Sequence, residues 1–323
     1  MIRLGYILSA SHSGSTLLAM LLGSQPGICT VGELKATSLG DPERYRCSCG
    51  ALIKSCRFWN EVSEAMQQKG MEFDVTRAGT SIQDVHSAYV RRLLAPLHRG
   101  PLWEMARDLA LNLSPAWQAH VSHVQHRNRV LIETLVQVRP ASVIIDSSKI
   151  GLRLKYLLRD PQLDVRVIRL IRDGRAVASS YMDPVAFADA ADPNRRAGGS
   201  GGHRDCERKP MLEAAREWRR SNEEAETLLP AIGPSRSIEV RYEELCANPA
   251  ETVRRICLFL GVDPVRVVLD FRSVEHHVLG NGMRLDATSE IRPDERWREH
   301  LTEDDLRVFD RVAGNLNRRY GYN

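Results

Sequence analysis

The sequence predicts an α/β protein, a central and mostly parallel sheet flanked by helices with a helical insertion, all within a single domain of residues 1–323. Three observations predict it. Short apolar runs at residues 4–9, 143–146 ("VIID"), 165–171 ("VRVIRLI") and 238–241 ("IEVR") alternate with helix-like segments from near Ser15, Gly151, Ala176 and Glu213, the pattern of parallel βαβ units. Two of the junctions, "SASHSGST" and "RLIRDGRAVASS", are polar turns leading from a strand into a helix, where backbone N–H groups and the helix dipole converge on an anion. With 43% hydrophobic residues among 323, the chain can bury a full core in one large unit.

In chain order, the first strand is followed by a small-residue turn and leucines at helical spacing. Residues 60–140 are amphipathic, rich in His and Arg and without a strand pattern; they predict helices inserted over the sheet. The polar, Gly-rich segment 189–210 holds too little apolar surface to order itself and predicts a flexible surface loop, or in a sharper reading a gate over the substrate. Near the end, Thr302 with an acid three residues on marks a capped helix start, and Leu306, Phe309, Val312 and Leu316 follow at helical spacing. No apolar run approaches the roughly 18 residues of a membrane span, and no leader pattern opens the chain. The expectation is a cytoplasmic protein with no membrane span.

The 45 basic and 41 acidic residues, net +4, are too balanced to coat nucleic acid and point instead to small anionic partners. Of seven cysteines, Cys47, Cys49 and Cys56 crowd into "CSCGALIKSCRFW". Three thiols hold zinc only with a fourth ligand from elsewhere, and no Cys-x-x-Cys pair supplies it. The expectation is therefore a reduced or singly bridged loop clip and no required metal. His120, His123 and His126, spaced by three beside "RNR", read as a solvated or acceptor-facing stripe.

Three motifs carry chemistry. In "SASHSGST" the residues Ser11, His12, Ser13, Gly14, Ser15 and Thr16 form an anion-binding turn, but Ser9 stands where a Walker A loop has its first glycine and Ser15 where it has its lysine. The loop is P-loop-like without being a Walker A; the plain alternative is a turn that binds nothing. In the second, Arg172 ends a strand and Ser180 lies about two turns into the next helix, so guanidinium and hydroxyl can converge on one phosphate. Arg175 reads as a helix-start cation or an ion-pair partner. In the third, "VIIDSSK", Asp146 either holds magnesium as in phosphoryl transfer or caps a helix, while Lys149 brings a cation to the strand's carboxyl end.

Together these residues resemble the sulfotransferases that use 3′-phosphoadenosine 5′-phosphosulfate (PAPS). The resemblance implies a P-loop NTPase-like sulfotransferase fold, with Ser11 to Thr16 on the 5′-phosphosulfate and Arg172 with Ser180 on the 3′-phosphate. The loop "LGNGMR", with Gly280, Asn281, Gly282, Met283 and Arg284, would close on that same phosphate. The stretch "VRYEELCANPAETVRRICLFLGV" before it also looks like the family's, and the match spans roughly residues 2–59 and 143–322. Where the family commonly has Lys or Arg this chain has His12, which acts as a proton donor to the leaving group or only as a cation; Lys149 is the second cation. Branches related to protein-tyrosine and bacterial carbohydrate or glycolipid sulfotransferases carry a Gly-Glu at this distance, implying Glu33 as the catalytic base. The implied activity is sulfuryl transfer from PAPS to a hydroxyl of a carbohydrate, glycolipid or other small hydroxylated metabolite, with adenosine 3′,5′-bisphosphate (PAP) as product. The alternatives are a small-molecule kinase using MgATP, with Asp146 on the metal, and a non-catalytic nucleotide-binding protein.

Overall fold

The computed structural model describes residues 2–35, 39–94, 100–190, 192–197 and 208–323. β1 (Ile2–Leu8) leads through a loop into α1 (Ser15–Gly23) and the short β2 (Ile28–Thr30). Four helices follow, α2 (Arg57–Gln68), α3 (Ala88–Leu94), α4 (Pro101–Asn112) and α5 (Pro115–Val138), with no strand among the described residues of that stretch. The chain then returns as β3 (Val143–Lys149), α6 (Gly151–Leu157), β4 (Leu163–Ile171), α7 (Gly174–Met182), α8 (Met211–Ile232) and β5 (Ser237–Arg241). It ends in α9 (Tyr242–Ala247), α10 (Pro249–Phe259), α11 (Trp297–His300), α12 (Glu303–Phe309), a π-helical stretch Asp310–Gly314 and α13 (Asn315–Arg319).

All five strands are parallel, in the order β2-β3-β1-β4-β5. Alternation decides the two faces: Leu4, Tyr6, Leu8, Val165 and Val167 pack with Trp59, Met66, Leu131 and Leu135 of the insertion, whereas Ile7, Ile145, Ile168 and Leu170 pack under α1 and α10. Both faces are covered, so the strands read as continuous apolar runs. β2, three residues long, is too short to show a periodicity of its own. β3 runs three residues past the expected Asp146. Between the pairs Tyr6–Asp146 and Leu8–Lys149, β3 advances three residues against two of β1. This bulge, with Lys149 at φ 69°, re-aims the end of the strand toward the sheet's carboxyl edge.

The expected C-terminal helix starts at Thr302, whose side chain and that of Asp305 form a reciprocal capping box, and it buries Phe309, Ala313 and Leu316 against Trp218 of α8. It is interrupted by one π-helical turn, which periodicity does not announce. Of segment 189–210, residues 191 and 198–207 lie outside the described residues. Its described part is anchored, with Ala197 buried and its N–H donating to the Asp189 carboxylate at 3.0 Å. No described helix is long and apolar enough to cross a membrane.

Candidate functional site

The carboxyl ends of β1, β3 and β4 and the segment after Val278 surround one cavity of about 1100 Å³. Its floor is the turn after β1. His12 at φ 59° and Gly14 at φ 88° are both left-handed, which folds the chain back so that α1 starts pointing at the cavity, with no acidic residue in its first turn. Gly14 is required twice over. A Cβ there would adopt a disfavoured backbone region and lie 2.4 Å from the Tyr242 ring. Ser11, His12, Gly14, Ser15 and Thr16 line the cavity. Ser13 is buried beneath it, its hydroxyl without a hydrogen-bond partner. The His12 imidazole stands edge-on to Phe187 at 4.6 Å and to Tyr181 at 5.8 Å.

Arg172, at the end of β4, joins three parts of the wall. Its Nη1 donates to the His12 carbonyl and its Nη2 to the Asp294 carbonyl, both at 2.8 Å, and its guanidinium stacks 4.4 Å from the Tyr242 ring centre. Its Nε is buried with no partner, an unmet donor of the kind an anion would satisfy. Ser180 lines the same cavity from α7, its hydroxyl resting on the Ala176 carbonyl at 3.1 Å. Arg175 faces away and pairs with Asp173 at 2.7 Å.

Across the cavity, Glu33 Oε1 accepts from Lys149 Nζ at 2.5 Å, and Lys35 Nζ lies 3.7 Å from Glu33 Oε2. Burial alone would raise the Glu33 carboxyl; the Lys149 and Lys35 ammoniums more than offset this and hold it below its ordinary value. Burial in turn pushes Lys35 down. Glu33 is thus ionised at neutral pH. Lys35 was not singled out from the sequence, although its place two residues after Glu33 puts it on the same short loop.

Gly280, Asn281, Gly282 and Met283 line the cavity, and the Gly280 N–H donates to the Tyr45 hydroxyl at 3.0 Å. Arg284 does not reach it. The guanidinium is fully buried, donating to the carbonyls of Arg46, Asp189 and Gly280 at 2.6–3.0 Å and stacking on Tyr45 at 4.2 Å. It braces the loop from behind because a buried guanidinium must spend its donors on whatever acceptors surround it. Asp146 is likewise committed. Oδ1 accepts from the Ser148 N–H at 2.9 Å and the Ser148 hydroxyl at 2.5 Å, and Oδ2 from Arg153 Nε at 2.9 Å, with no exposure. It neither caps α6, whose N-cap is Ile150, nor offers an open oxygen to a metal.

The described cysteines carry free thiols, and Cys206 lies outside the described residues. Cys47, Cys49 and Cys56 are joined by a residue the sequence gave no reason to connect with them, His277, so that the four ligand atoms lie within 4.8 Å of one another. His120, His123 and His126 belong to no such group among the described residues; His120 Nε2 contacts the Ile82 carbonyl at 3.0 Å.

A family model described as "Sulfotransferase family" matches residues 6–265. Human carbohydrate sulfotransferase 3 is 30% identical over 174 residues, covering 52% of this chain and 36% of that protein. Human carbohydrate sulfotransferase 2 is 35% identical over 137 residues, covering 34% of this chain and 25% of that protein. The chain thus spans about a third or less of the length of these two relatives. Among solved structures, the sulfotransferase domain from the Synechococcus PCC 7002 olefin synthase aligns over 99% of this chain and 95% of that one, at 20% identity and a TM-score of 0.46.

Proposed function

Because the chain belongs to the sulfotransferase family, we propose that it moves the sulfuryl group of PAPS in line onto an acceptor hydroxyl, giving a sulfate ester and PAP. PAPS supplies the electrophilic sulfur and, in PAP, the leaving phosphate. Ser11, Gly14, Ser15 and Thr16 at the start of α1 would hold the 5′-phosphosulfate; Arg172 and Ser180, with the loop Gly280 to Met283, would hold the 3′-phosphate. The unmet Arg172 Nε and the acid-free first turn of α1 fit such anions.

One observation carries the reading: an ionised glutamate, Glu33, clamped by two lysines in the same cavity as both anion turns. Glu33 takes the proton as the acceptor oxygen bonds to sulfur and the bond from sulfur to the bridging oxygen breaks. Lys149 and His12 then face the charge that develops on the leaving phosphate, so the residues themselves supply the electrostatic stabilisation. Arg284 acts through the loop it braces. For the acceptor we propose a carbohydrate or related glycoconjugate hydroxyl, supported by the names of the matched relatives. Cavity residues Asp183, Glu217 and Asp286 add groups that can hydrogen-bond a polyol. The kinase alternative loses its support, since both oxygens of Asp146 are occupied by the protein's own donors.

Calorimetry with PAP and with ATP, without magnesium, tests the donor, and labelled PAPS with a panel of carbohydrate acceptors tests the transfer. PAP binding without metal and labelled sulfate on a carbohydrate are expected. Binding of ATP but not PAP would overturn the proposal.

A further inference from the structure

The thiol and imidazole group behind the cavity has the geometry of a metal centre. A tetrahedral zinc ion, with bonds of about 2.3 Å to sulfur and about 2.0 Å to nitrogen, sets its sulfurs about 3.8 Å apart and sulfur about 3.5 Å from nitrogen. In this structure Cys49 Sγ lies 3.8 Å from Cys56 Sγ, and His277 Nδ1 lies 3.5 Å from Cys56 Sγ and 3.7 Å from Cys47 Sγ. Cys49 faces solvent, and the protein packs against the other three ligands. Phe58 stacks on the His277 ring at 4.4 Å and 2°, fixing its plane, and Nε2 of that ring lies 3.7 Å from the Glu275 carboxylate, as second-sphere carboxylates lie behind ligating histidines. Gly50 at φ 86° turns the chain between the second and third thiols, and its N–H donates to the Cys47 carbonyl at 2.9 Å. Cys47, Cys56 and His277 are buried.

We propose that Cys47, Cys49, Cys56 and His277 bind one structural zinc ion. Binding releases the thiol protons and leaves a closed four-ligand site with no position for substrate. A disulfide, by contrast, would use two of the thiols and leave the third facing the imidazole without a function. The ion ties the loop of residues 47–56 to the strap of residues 276–278, which Ser48 already links by donating to the His276 carbonyl at 2.6 Å and accepting from the Val278 N–H at 2.7 Å. Directly after that strap, the Leu279 N–H donates to the Val31 carbonyl at 2.9 Å, and Gly280 enters the cavity beside Glu33, where a Cβ would lie 3.4 Å from the Glu33 carboxylate. The zinc therefore braces the loop that closes the cavity, and this assignment stands whether or not the donor is PAPS.

The full chain, purified without added metal, should carry one zinc by plasma mass spectrometry. Cys56→Ser and His277→Ala should lose it, with a downward shift in melting temperature. Because those variants can fail to fold, the wild-type chain is also stripped with a chelator and titrated with cobalt(II). Thiolate-to-cobalt charge transfer with tetrahedral ligand-field bands is expected, with zinc displacing them. A folded, metal-free chain that gives no such bands, or a disulfide between any two of Cys47, Cys49 and Cys56 in non-reducing peptide mapping, would overturn the proposal.

Discussion

Lys149 Nζ lies 2.5 Å from Glu33 Oε1 although 116 residues separate the two. The bulge that ends β3 makes the contact possible, since it turns Lys149 out of the strand's alternation and toward the loop after β2. The pairing keeps Glu33 in its proton-accepting form and holds it in one place.

Glu33→Gln keeps the shape of the side chain and removes the base. Turnover with PAPS should fall by about 10²–10⁴-fold, while calorimetry with PAP returns an unchanged affinity. Unaltered turnover would remove Glu33 from this role.

The pH profile reports the same pair. In the free protein Glu33 titrates below its ordinary 4.5, so kcat/KM should stay level on the acid side until the pH falls below that value. Lys149→Met removes the nearer cation. Only Lys35 then opposes burial, the neutral acid gains relative to the wild type, and the acid limb should move to higher pH.

His12 has a different test. If the imidazole serves as a cation beside the phosphosulfate, as we expect, His12→Arg should hold turnover within about tenfold and flatten any basic limb that His12 imposes, because guanidinium stays charged. Abolished turnover with intact PAP binding would assign a transferable proton to His12.

Gly14→Ala probes the floor of the cavity. The left-handed backbone costs about 1–2 kcal/mol, and the clash with Tyr242 adds about 1–3 kcal/mol as overpacking. Urea unfolding should show the loss, and PAP affinity should drop with it, since Tyr242 also supports Arg172.

Asp146→Ala tests the structural role of this carboxylate, and magnesium dependence separates the sulfotransferase reading from the kinase one. Leaving Arg153 buried without its carboxylate should destabilise the fold by about 3–5 kcal/mol. Omitting magnesium from assays of the wild-type chain should leave turnover unchanged; a magnesium requirement would speak for a metal-dependent phosphoryl transfer.

What the sequence determined by itself is what lies close along the chain. The four apolar runs, the two polar turns and the Thr302 cap are local patterns of burial, turn chemistry and capping, and each sits within a few residues of its predicted place. The spacing from Arg172 to Ser180 is likewise local, because both ride on one strand and the helix after it. The tertiary structure decided whatever depends on residues far apart meeting. Arg284 and Asp146 carry the charges that suggest ligand contacts, but burial among the carbonyls of Arg46 and Asp189, or beside Arg153, commits them to the scaffold. Glu33 meets Lys149 because the loop after β2 is tied to β3, Leu34 and Lys35 donating their N–H groups to the Asp146 and Ser148 side chains. His277 reaches Cys47 and Cys56 across more than two hundred residues, with no local pattern to mark it. Desolvation and the geometry of long-range contacts fix which charges face a ligand and which thiols gather around one point, and neither is written in any short stretch of sequence.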